Sequence, residues 1–316
     1  MEVTIQNGSV VYYPAVEEGI TWSTERKGSP GQLNFTVLKD KDLNFQEGNL
    51  VMLNVDGQGV FKGFVFTKKR NKGNTITVTA YDQLRYFKNK DTIQYKNITA
   101  TELVKRIADD FKLNVGELED TGSKITRIEE NKTLFDIVQT ALDLTLHNKE
   151  KMYVLYDDFG QLTLKNVESM KLDILIDDDT AEDFDYTSSI DGETYNKIKL
   201  SYENEKTGKR DIYIAQDSSN INSWGVLQYF ETIDEKVNGK AKADALLQLY
   251  NRKTRSLTVK RVFGDARVRA GCSVPVHLSL GDMIVKNYMM VEKVKHSFNE
   301  RDHWMDLILR GGGFIA

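Results

Sequence analysis

The sequence predicts an α+β protein that is mainly antiparallel β, with two small β-barrel modules and an α+β domain inserted between them. Runs of alternating apolar and polar residues dominate both ends of the chain. Alternation with period two is typical of strands that bury one face. In the middle of the chain the apolar period lengthens to about 3.6, which indicates helices. The expected divisions are residues 1–95, 96–170 and 171–316.

Length and composition limit the classes of protein that fit. A chain of 316 residues is expected to hold two or three domains. Its net charge of −4, with both signs well mixed, argues against sequence-specific binding of nucleic acid. No apolar run approaches the roughly 20 residues needed to cross a bilayer, so no membrane span is expected. The first residues lack a secretory signal pattern, so the protein is expected in the cytosol or to leave it by another route.

The single cysteine, Cys272, excludes an internal disulfide. This fits a reducing compartment. We expect Cys272 to be an inert residue of the core rather than a nucleophile.

The first module opens with a strand in which Leu33, Phe35 and Val37 alternate with polar residues. Asp56 and Gly57 have the chemistry of a two-residue hairpin turn. The other strands predicted here are 51–55, 60–66 and 75–81. Up to about residue 95, these strands predict one small antiparallel barrel or sandwich.

The inserted domain begins where the pattern becomes helical. Thr99 and Glu102 form a capping box, in which the hydroxyl and the carboxylate satisfy free backbone N–H groups at a helix start. A second helix is predicted from about residue 133 to 146. Two apolar runs separated by residues 157–160 then predict a hairpin.

Strand patterns resume at Tyr195, and a further helix is predicted over 238–251. The apolar residues at helical spacing in that segment are Ala241, Ala245 and Leu249. The strand-like runs that close the chain are 276–285, 288–298 and 304–309. These elements are expected to form the second module.

Runs near the two ends of the chain follow one plan. The matching pairs are 47–51 with 280–284, 60–66 with the run from Tyr288, and 75–80 with the run from Trp304. This pattern predicts a divergent internal duplication of one β module. Two unrelated meanders with similar turns are the alternative.

Motifs that carry chemistry are absent from the sequence. It contains no P-loop, no dinucleotide-binding glycine motif, no nucleophile elbow and no paired cysteines. His296 and His303 flank a turn, but no further metal ligand lies near them in the sequence. His147 is expected just past a helix end, where a positive charge suits the helix dipole. We therefore predict no catalytic residue, no cofactor site and no metal site.

Two charged segments receive structural interpretations. The acidic segment 177–185 lacks the glycine that an EF-hand loop needs at its sixth position, and it is expected to be a solvated linker. The basic segment 68–72 contains no aromatic side chain on which a base could stack. It is interpreted as a soluble hairpin tip, or as protection against pairing between strand edges.

Several runs, taken in order, resemble the baseplate hub proteins of contractile tails. They are 44–49, 60–63 and 79–84 in the first module, 131–137 and 153–160 in the inserted domain, and 261–265, 268–271 and 288–298 near the end. The resemblance is to hubs of the XkdQ/YqbQ type, which belong to defective phages and phage-tail-like bacteriocins. It covers nearly the whole chain, and the order of the runs supplies most of its specificity.

The resemblance implies a structural hub without catalytic activity. Such a hub is a homotrimer whose subunits each carry two tube-like barrels, so that six similar surfaces surround one axis. It would act as a symmetry adaptor between a six-fold tail tube and a three-fold spike. The implied partners are the tail tube protein, the spike protein, the tape-measure protein and other baseplate components. The implied location is a virion or bacteriocin particle that is assembled in the bacterial cytoplasm.

Two other functions stay open from the sequence. A tail-associated peptidoglycan hydrolase or wall-binding protein would use the inserted domain, but hydrolysis needs two carboxylates about 5–10 Å apart in a cleft. Asp157 and Asp158 instead share one tight turn. A carbohydrate-binding module would need an exposed aromatic platform, and Trp22, Trp224 and Trp304 are dispersed along the sequence.

Overall fold

The fold is mostly antiparallel β with few helices, as the sequence predicts. The computed structural model describes residues 1–192, 194–204, 208–233, 237–281, 284–300 and 302–311. The chain divides into two compact units. One contains Met1–Phe184 and Thr258–Leu309, and the other contains Asp185–Leu257 together with Arg310 and Gly311.

The first unit starts with strands that bury alternate side chains. They are β1 (Glu2–Asn7), β2 (Val10–Tyr12), β3 (Ile20–Glu25), β4 (Gln32–Leu38), β5 (Leu50–Val55), β6 (Gln58–Arg70) and β7 (Thr75–Tyr81). Leu33, Phe35 and Val37 of β4 are buried, as predicted. Asp56 and Gly57 both adopt positive φ and form the predicted tight turn between β5 and β6.

The middle of the first unit packs helices on short strands. These elements are β8 (Lys90–Ile98), α1 (Ala100–Phe111), β9 (Val115–Leu118), β10 (Ile125–Thr133), α2 (Leu134–Lys149), β11 (Tyr153–Asp157) and β12 (Leu162–Asn166). The predicted capping box at Thr99 and Glu102 is confirmed, and Thr133 caps α2. Leu103 and Ile107 of α1 share one core with Leu134 of α2. His147 lies in the last turn of α2 and not just past its end, because the helix continues to Lys149.

The chain then crosses from the first unit to the second. Two strands, β13 (Ile176–Asp177) and β14 (Ala181–Ser189), precede the elements of the second unit. Those elements are β15 (Lys197–Asn204), β16 (Lys209–Gln216), α3 (Ser218–Trp224), β17 (Gln228–Thr232) and α4 (Gly239–Tyr250). The strands form a sheet of their own in the order β16-β15-β17.

Helix α4 occupies the predicted segment. Asn238 caps its start. Ala243 is buried with Ile198 and Leu200 of the neighbouring sheet, whereas Ala241 and Ala245 are exposed. The four-residue spacing of Ala241, Ala245 and Leu249 therefore predicted the helix correctly.

The last strands complete the first unit. They are β18 (Thr254–Phe263), β19 (Ser273–Ser279), β20 (Ile284–Phe298) and β21 (His303–Gly311). The largest sheet has the order β14-β18-β21-β20-β3-β4-β7-β6-β5-β1-β2, while β19 pairs with both β13 and β20. None of the described helices is long and apolar enough to cross a bilayer.

Most acidic side chains of the segment 177–185 are exposed to solvent, as predicted, but the prediction that the segment is a linker is wrong. Its residues form β13, a turn and β14, which pairs with β18. The carboxylate of Glu182 lies 2.7 Å from Arg261, and that of Asp183 lies 3.5 Å from Lys260. Backbone pairing and these two cations on β18 offset the repulsion that the acidic composition suggested.

The same strand order occurs twice in the large sheet. The first repeat has the order β5-β6-β7-β4-β3, and the second has β19-β20-β21-β18-β14. Two of the three sequence matches agree with this order, since β6 corresponds to β20 and β7 to β21. The third match was displaced, because β5 corresponds to β19, whereas residues 280 and 281 lie after β19. No sheet of the described residues closes into a barrel, so the barrel form stays a prediction.

Candidate functional site

The two repeats meet at a junction between β20 and β3. The second half of β20 pairs antiparallel with β3, from Lys293 opposite Glu25 to Phe298 opposite Ile20. The first half of β20 pairs with β19, so this long strand serves two neighbours in succession. The junction makes one continuous sheet from the two repeats.

Aromatic packing fixes the junction from one side. The Trp22 side chain is 2% exposed, and its ring stacks on that of His296 with a centroid distance of 4.6 Å. Phe298 belongs to the same apolar cluster as Trp22 and Leu33. The end of β20 therefore contributes to the core of the first repeat as well as to that of the second.

A hydrogen-bonded histidine pair lies beneath this stack. His296 Nδ1 lies 2.8 Å from His303 Nε2, and His296 Nε2 lies 2.9 Å from the Val268 carbonyl oxygen. Since a carbonyl can only accept, His296 donates from Nε2 and accepts from His303 at Nδ1. Burial lowers the pKa of His296 to about 3, and the positive field of His303 acts in the same direction. His296 is thus a neutral packing residue at physiological pH.

The structure brings His296 and His303 together, which the sequence only placed on either side of a turn. No group of three or more histidine, cysteine or acidic side chains that could hold a metal ion occurs among the residues described. Both nitrogens of His296 already have hydrogen-bond partners.

An ion pair closes the other end of the junction. Arg26 donates two hydrogen bonds to the carboxylate of Glu292, at 2.8 and 2.9 Å, and its backbone N–H donates to the Glu292 carbonyl oxygen. The Arg26 side chain is only 5% exposed, so this bidentate pair is largely removed from water. A second pair, Lys293 with Glu25, is longer at 3.6 Å and open to solvent.

Strand β6 holds the place in the first repeat that β20 holds in the second. The Gly48 N–H donates to the Val65 carbonyl, and the Val65 N–H donates back to the residue after the glycine. Gly271 and Val291 make the same pair of hydrogen bonds. Both glycines adopt positive φ, which favours glycine at these two positions. Val65 is therefore equivalent to Val291, and Lys69 is equivalent to Lys295.

The two strands differ in whether another strand pairs with the segment that follows these hydrogen bonds. Beyond Val291, β20 is covered by β3. Beyond Val65, β6 pairs with β7 on one side, and no other strand of the described residues pairs with its second side. Lys68 of this open segment lies over the Phe45 ring, and Lys69 and Arg70 are exposed. The basic tip predicted from the sequence is therefore the end of an open strand edge.

Asp82 and Asp157 form a buried pair of acids, of which only Asp157 could be singled out from the sequence. Asp82 accepts hydrogen bonds from the backbone N–H groups of Gly31 and Leu84, and Asp157 accepts one from Gly160. Burial raises the pKa of Asp157 to about 6. Burial and the charge of Asp157 raise that of Asp82 well above its usual range.

The two carboxylates of this pair accept hydrogen bonds from turns, and the cavity beside them is too small for a substrate. The cavity beside it measures about 20 Å³, close to the space for one water molecule. Arg269 donates a hydrogen bond to the Asp157 carbonyl and stacks over Tyr156. The signal that could have found Asp82 is the backbone capping preference of an aspartate at the start of a turn.

A larger surface pocket of about 310 Å³ opens between β6, the end of β12 and residues 266–272. Among its described lining residues Asp158 is the one carboxylate, facing Lys165, Arg267 and Arg269. Cys272 lines it as well, but burial raises the pKa of its thiol to about 11, so the reactive thiolate is scarce. The pair of carboxylates required for glycoside hydrolysis is not assembled here.

A sequence model of the YQBQ-like family matches residues 20–310, which include both repeats and the junction. The chain belongs to the YQBQ-like family. This YQBQ-like chain is 28% identical over 303 residues to the phage-like element PBSX protein XkdQ of Bacillus subtilis (strain 168), covering 92% of this chain and 91% of that protein. It is 27% identical to YqbQ of the same strain, with the same coverage. The resemblance seen in the sequence is confirmed.

Solved structures share the fold of the YQBQ-like chain. The 43 kDa tail protein of prophage MuSo2 from Shewanella oneidensis has a TM-score of 0.74 at 13% identity, covering 100% of this chain and 99% of that one. Prophage tail protein gp18 from Listeria monocytogenes EGD-e has a TM-score of 0.64 at 14% identity, covering 98% and 94%. At these identities the similarity establishes a common fold.

Proposed function

We propose that this YQBQ-like chain is a structural, non-catalytic protein of a phage-tail baseplate. Its relative XkdQ is a protein of the phage-like element PBSX, and its fold is that of the prophage tail proteins from Shewanella and Listeria. More specifically, the chain acts as the hub. It forms a homotrimer that adapts a six-fold tail tube to a three-fold spike.

One observation carries this proposal: a single strand order occurs twice in one chain, and the two repeats join edge to edge. Three copies arranged around an axis present six similar repeats. A six-fold tube can then make a similar contact with every repeat, while a three-fold spike makes one contact with every chain. A chain with one repeat could serve only one of these symmetries.

The proposed role assigns a part to each section of the chain. Residues 1–95 form the first tube-like module and 96–170 the inserted α+β domain, while 171–316 contain the second tube-like module together with the separate sheet of β15, β16 and β17. The inserted domain has its own core of α1, α2 and the strands around them, so it can fold without disturbing either repeat. The tube-like modules provide the surfaces that are repeated in the ring.

The partners follow from this position in the particle. The hub contacts the tail tube protein at one end, the spike protein at the other, and the tape-measure protein and further baseplate components around it. A structure with a TM-score of 0.60 and 10% identity, covering 100% of this chain and 79% of that one, supports the spike contact. It is the E. coli c3393 protein, a type VI secretion component similar to T4 tail proteins gp27 and gp5.

The particle is a phage virion or a phage-tail-like bacteriocin that is assembled in the bacterial cytoplasm. Electron cryomicroscopy of tail particles that contain the chain tests the proposal. A view down the tail axis is expected to show three copies at the baseplate, with six similar β repeats in one ring. One copy or six copies per baseplate would overturn the trimeric hub. Release of sugar from purified cell walls by the purified full-length chain would overturn the non-catalytic role.

A further inference from the structure

Several strand edges of the large sheet have no neighbouring strand within the described residues, and two of them lie on strands equivalent to those of the junction. One is the end of β6 after Val65, and the other is the outer edge of β14, at one end of the sheet order. An unpaired strand edge presents a row of backbone N–H and C=O groups that another strand can bind. Each copy of the chain therefore offers these two edges, among others, to a partner strand.

These two edges correspond to the two strands that already meet at the junction. Strand β6 is equivalent to β20, as the paired hydrogen bonds at Val65 and Val291 show. Strand β14 is equivalent to β3, because each lies beside the first long strand of its repeat, β18 or β4. The β20–β3 junction is thus an observed example of the contact that the open edges are shaped to make.

The charges of the two edges are complementary. The end of β6 carries Lys68, Lys69 and Arg70. Lys69 and Arg70 are exposed, and neither forms an ion pair in the described part of the chain. The β14 edge carries Glu182 and Asp183, whose side chains are 60% and 62% exposed while they contact β18. A carboxylate has lone pairs for more than one donor, so these groups can accept a second cation.

We propose that the basic edge of β6 in one copy pairs antiparallel with the acidic edge of β14 in a second copy. This inference rests on the proposed trimeric hub and names the surfaces that build it. The contact is heterologous, because it joins two different edges. A ring of three copies closes if each of its six repeats rotates the sheet by one sixth of a circle about the axis. The junction inside the chain and the contact between chains then alternate around the ring.

Cysteine cross-linking in assembled tail particles tests this pairing directly. In a Cys272→Ala background, the variant Lys69→Cys is combined with Glu182→Cys or with Asp183→Cys, which lie on opposite faces of β14. A short bis-maleimide is expected to give dimers and trimers on a denaturing gel from one of these combinations. Each single variant is expected to remain monomeric.

The junction inside the chain provides a matched control. Lys295 is equivalent to Lys69 and lies directly opposite Ser23. The combination Lys295→Cys with Ser23→Cys is therefore expected to cross-link within one chain, without any dimer or trimer. This shows that the reagent detects a strand pair of this geometry.

Charge reversal gives a second, independent measurement. Reversing the basic edge (Lys69→Glu with Arg70→Glu) or the acidic edge (Glu182→Lys with Asp183→Lys) is expected to lower incorporation of the chain into particles about tenfold or more, because like charges then face each other. Combining both reversals is expected to restore it. Circular dichroism of each purified variant checks that the fold is retained.

The outcomes separate this inference from the proposed function. Particles with three copies, no cross-link in either combination and incorporation that is insensitive to charge reversal would overturn the pairing and leave the trimeric hub intact. Particles with another copy number would overturn the hub itself. Cross-linked trimers together with restoration by the double reversal would establish the contact.

Discussion

Strands β6 and β20 hold equivalent places in the two repeats, yet the ends of these strands differ in chemistry. The end of β20 lies under β3 and buries Val294, His296 and Phe298. The end of β6 has no such cover among the described residues, and it is occupied by lysine and arginine. The side chains along a strand edge therefore indicate whether its partner strand lies in the same chain. A charged edge stays soluble until a partner arrives.

The largest effect is expected when the ion pair at the covered edge is broken. The substitution Glu292→Ala leaves the Arg26 guanidinium, 5% exposed, without its carboxylate. Because a charge left unpaired in a buried site is costly, we expect the free energy of unfolding to fall by about 3 kcal/mol. Equilibrium unfolding in urea measures this loss.

The matched control is Glu25→Ala at the same junction. Glu25 meets Lys293 at 3.6 Å, with both side chains more than 40% exposed, so its loss is expected to cost about 1 kcal/mol or less. Equal losses for the two substitutions would mean that the Arg26 pair gains nothing from its burial.

A smaller, pH-dependent effect is expected from His296. Burial lowers its pKa to about 3 from an ordinary value of 6.5. Between these two pH values the unfolded chain binds a proton at this residue and the folded chain does not. The stability supplied by the neutral ring is present above pH 6.5 and is lost as the pH falls towards 3. Urea unfolding at several pH values is expected to show a shallower decline for His296→Asn than for the natural chain.

The control for this prediction is His277→Asn, since the His277 side chain is exposed. Asp157 acts in the opposite direction, because an acid with a pKa raised to about 6 binds its proton more tightly when folded. The quantity to compare at each pH is therefore the difference in the free energy of unfolding between each variant and the natural chain. A pH slope that is the same with and without His296 would contradict the prediction.

The smallest effect is expected at the open edge. Lys69→Ser removes an exposed charge that forms no ion pair in the described residues, so the free energy of unfolding is expected to change by less than about 0.5 kcal/mol. Urea unfolding of the purified chain checks this. A loss close to that of Glu292→Ala would show that Lys69 is already covered within one chain.

Local structure was the most predictable part of this molecule. The cap at Thr99, the turn at Asp56 and the helices starting near 133 and 238 are fixed by neighbouring residues, and each lies where the sequence placed it. The sheet to which a strand belongs depends on distant residues. The strands after Tyr195 were expected in the second module, but they form a separate sheet with their own helix.

The site was predictable only in part, for a related reason. The sequence revealed the repeat and the basic segment, but it treated the acidic segment as a linker. Its status as a strand depends on pairing with β18, some 75 residues later in the sequence. The pairing of His296 with His303, and of Asp82 with Asp157, likewise depends on tertiary contacts that no local pattern contains.

The distance along the chain between the partners of the junction has a consequence for synthesis. Arg26 and Glu292 are 266 positions apart. At the usual speed of a bacterial or eukaryotic ribosome, β3 waits on the order of 10–50 s before β20 emerges. During that interval the edge of β3 that will pair with β20 is unpaired, and Trp22 lies on this strand. An unpaired strand edge can bind another strand, so the nascent chain is open to aggregation through β3 until β20 pairs with it.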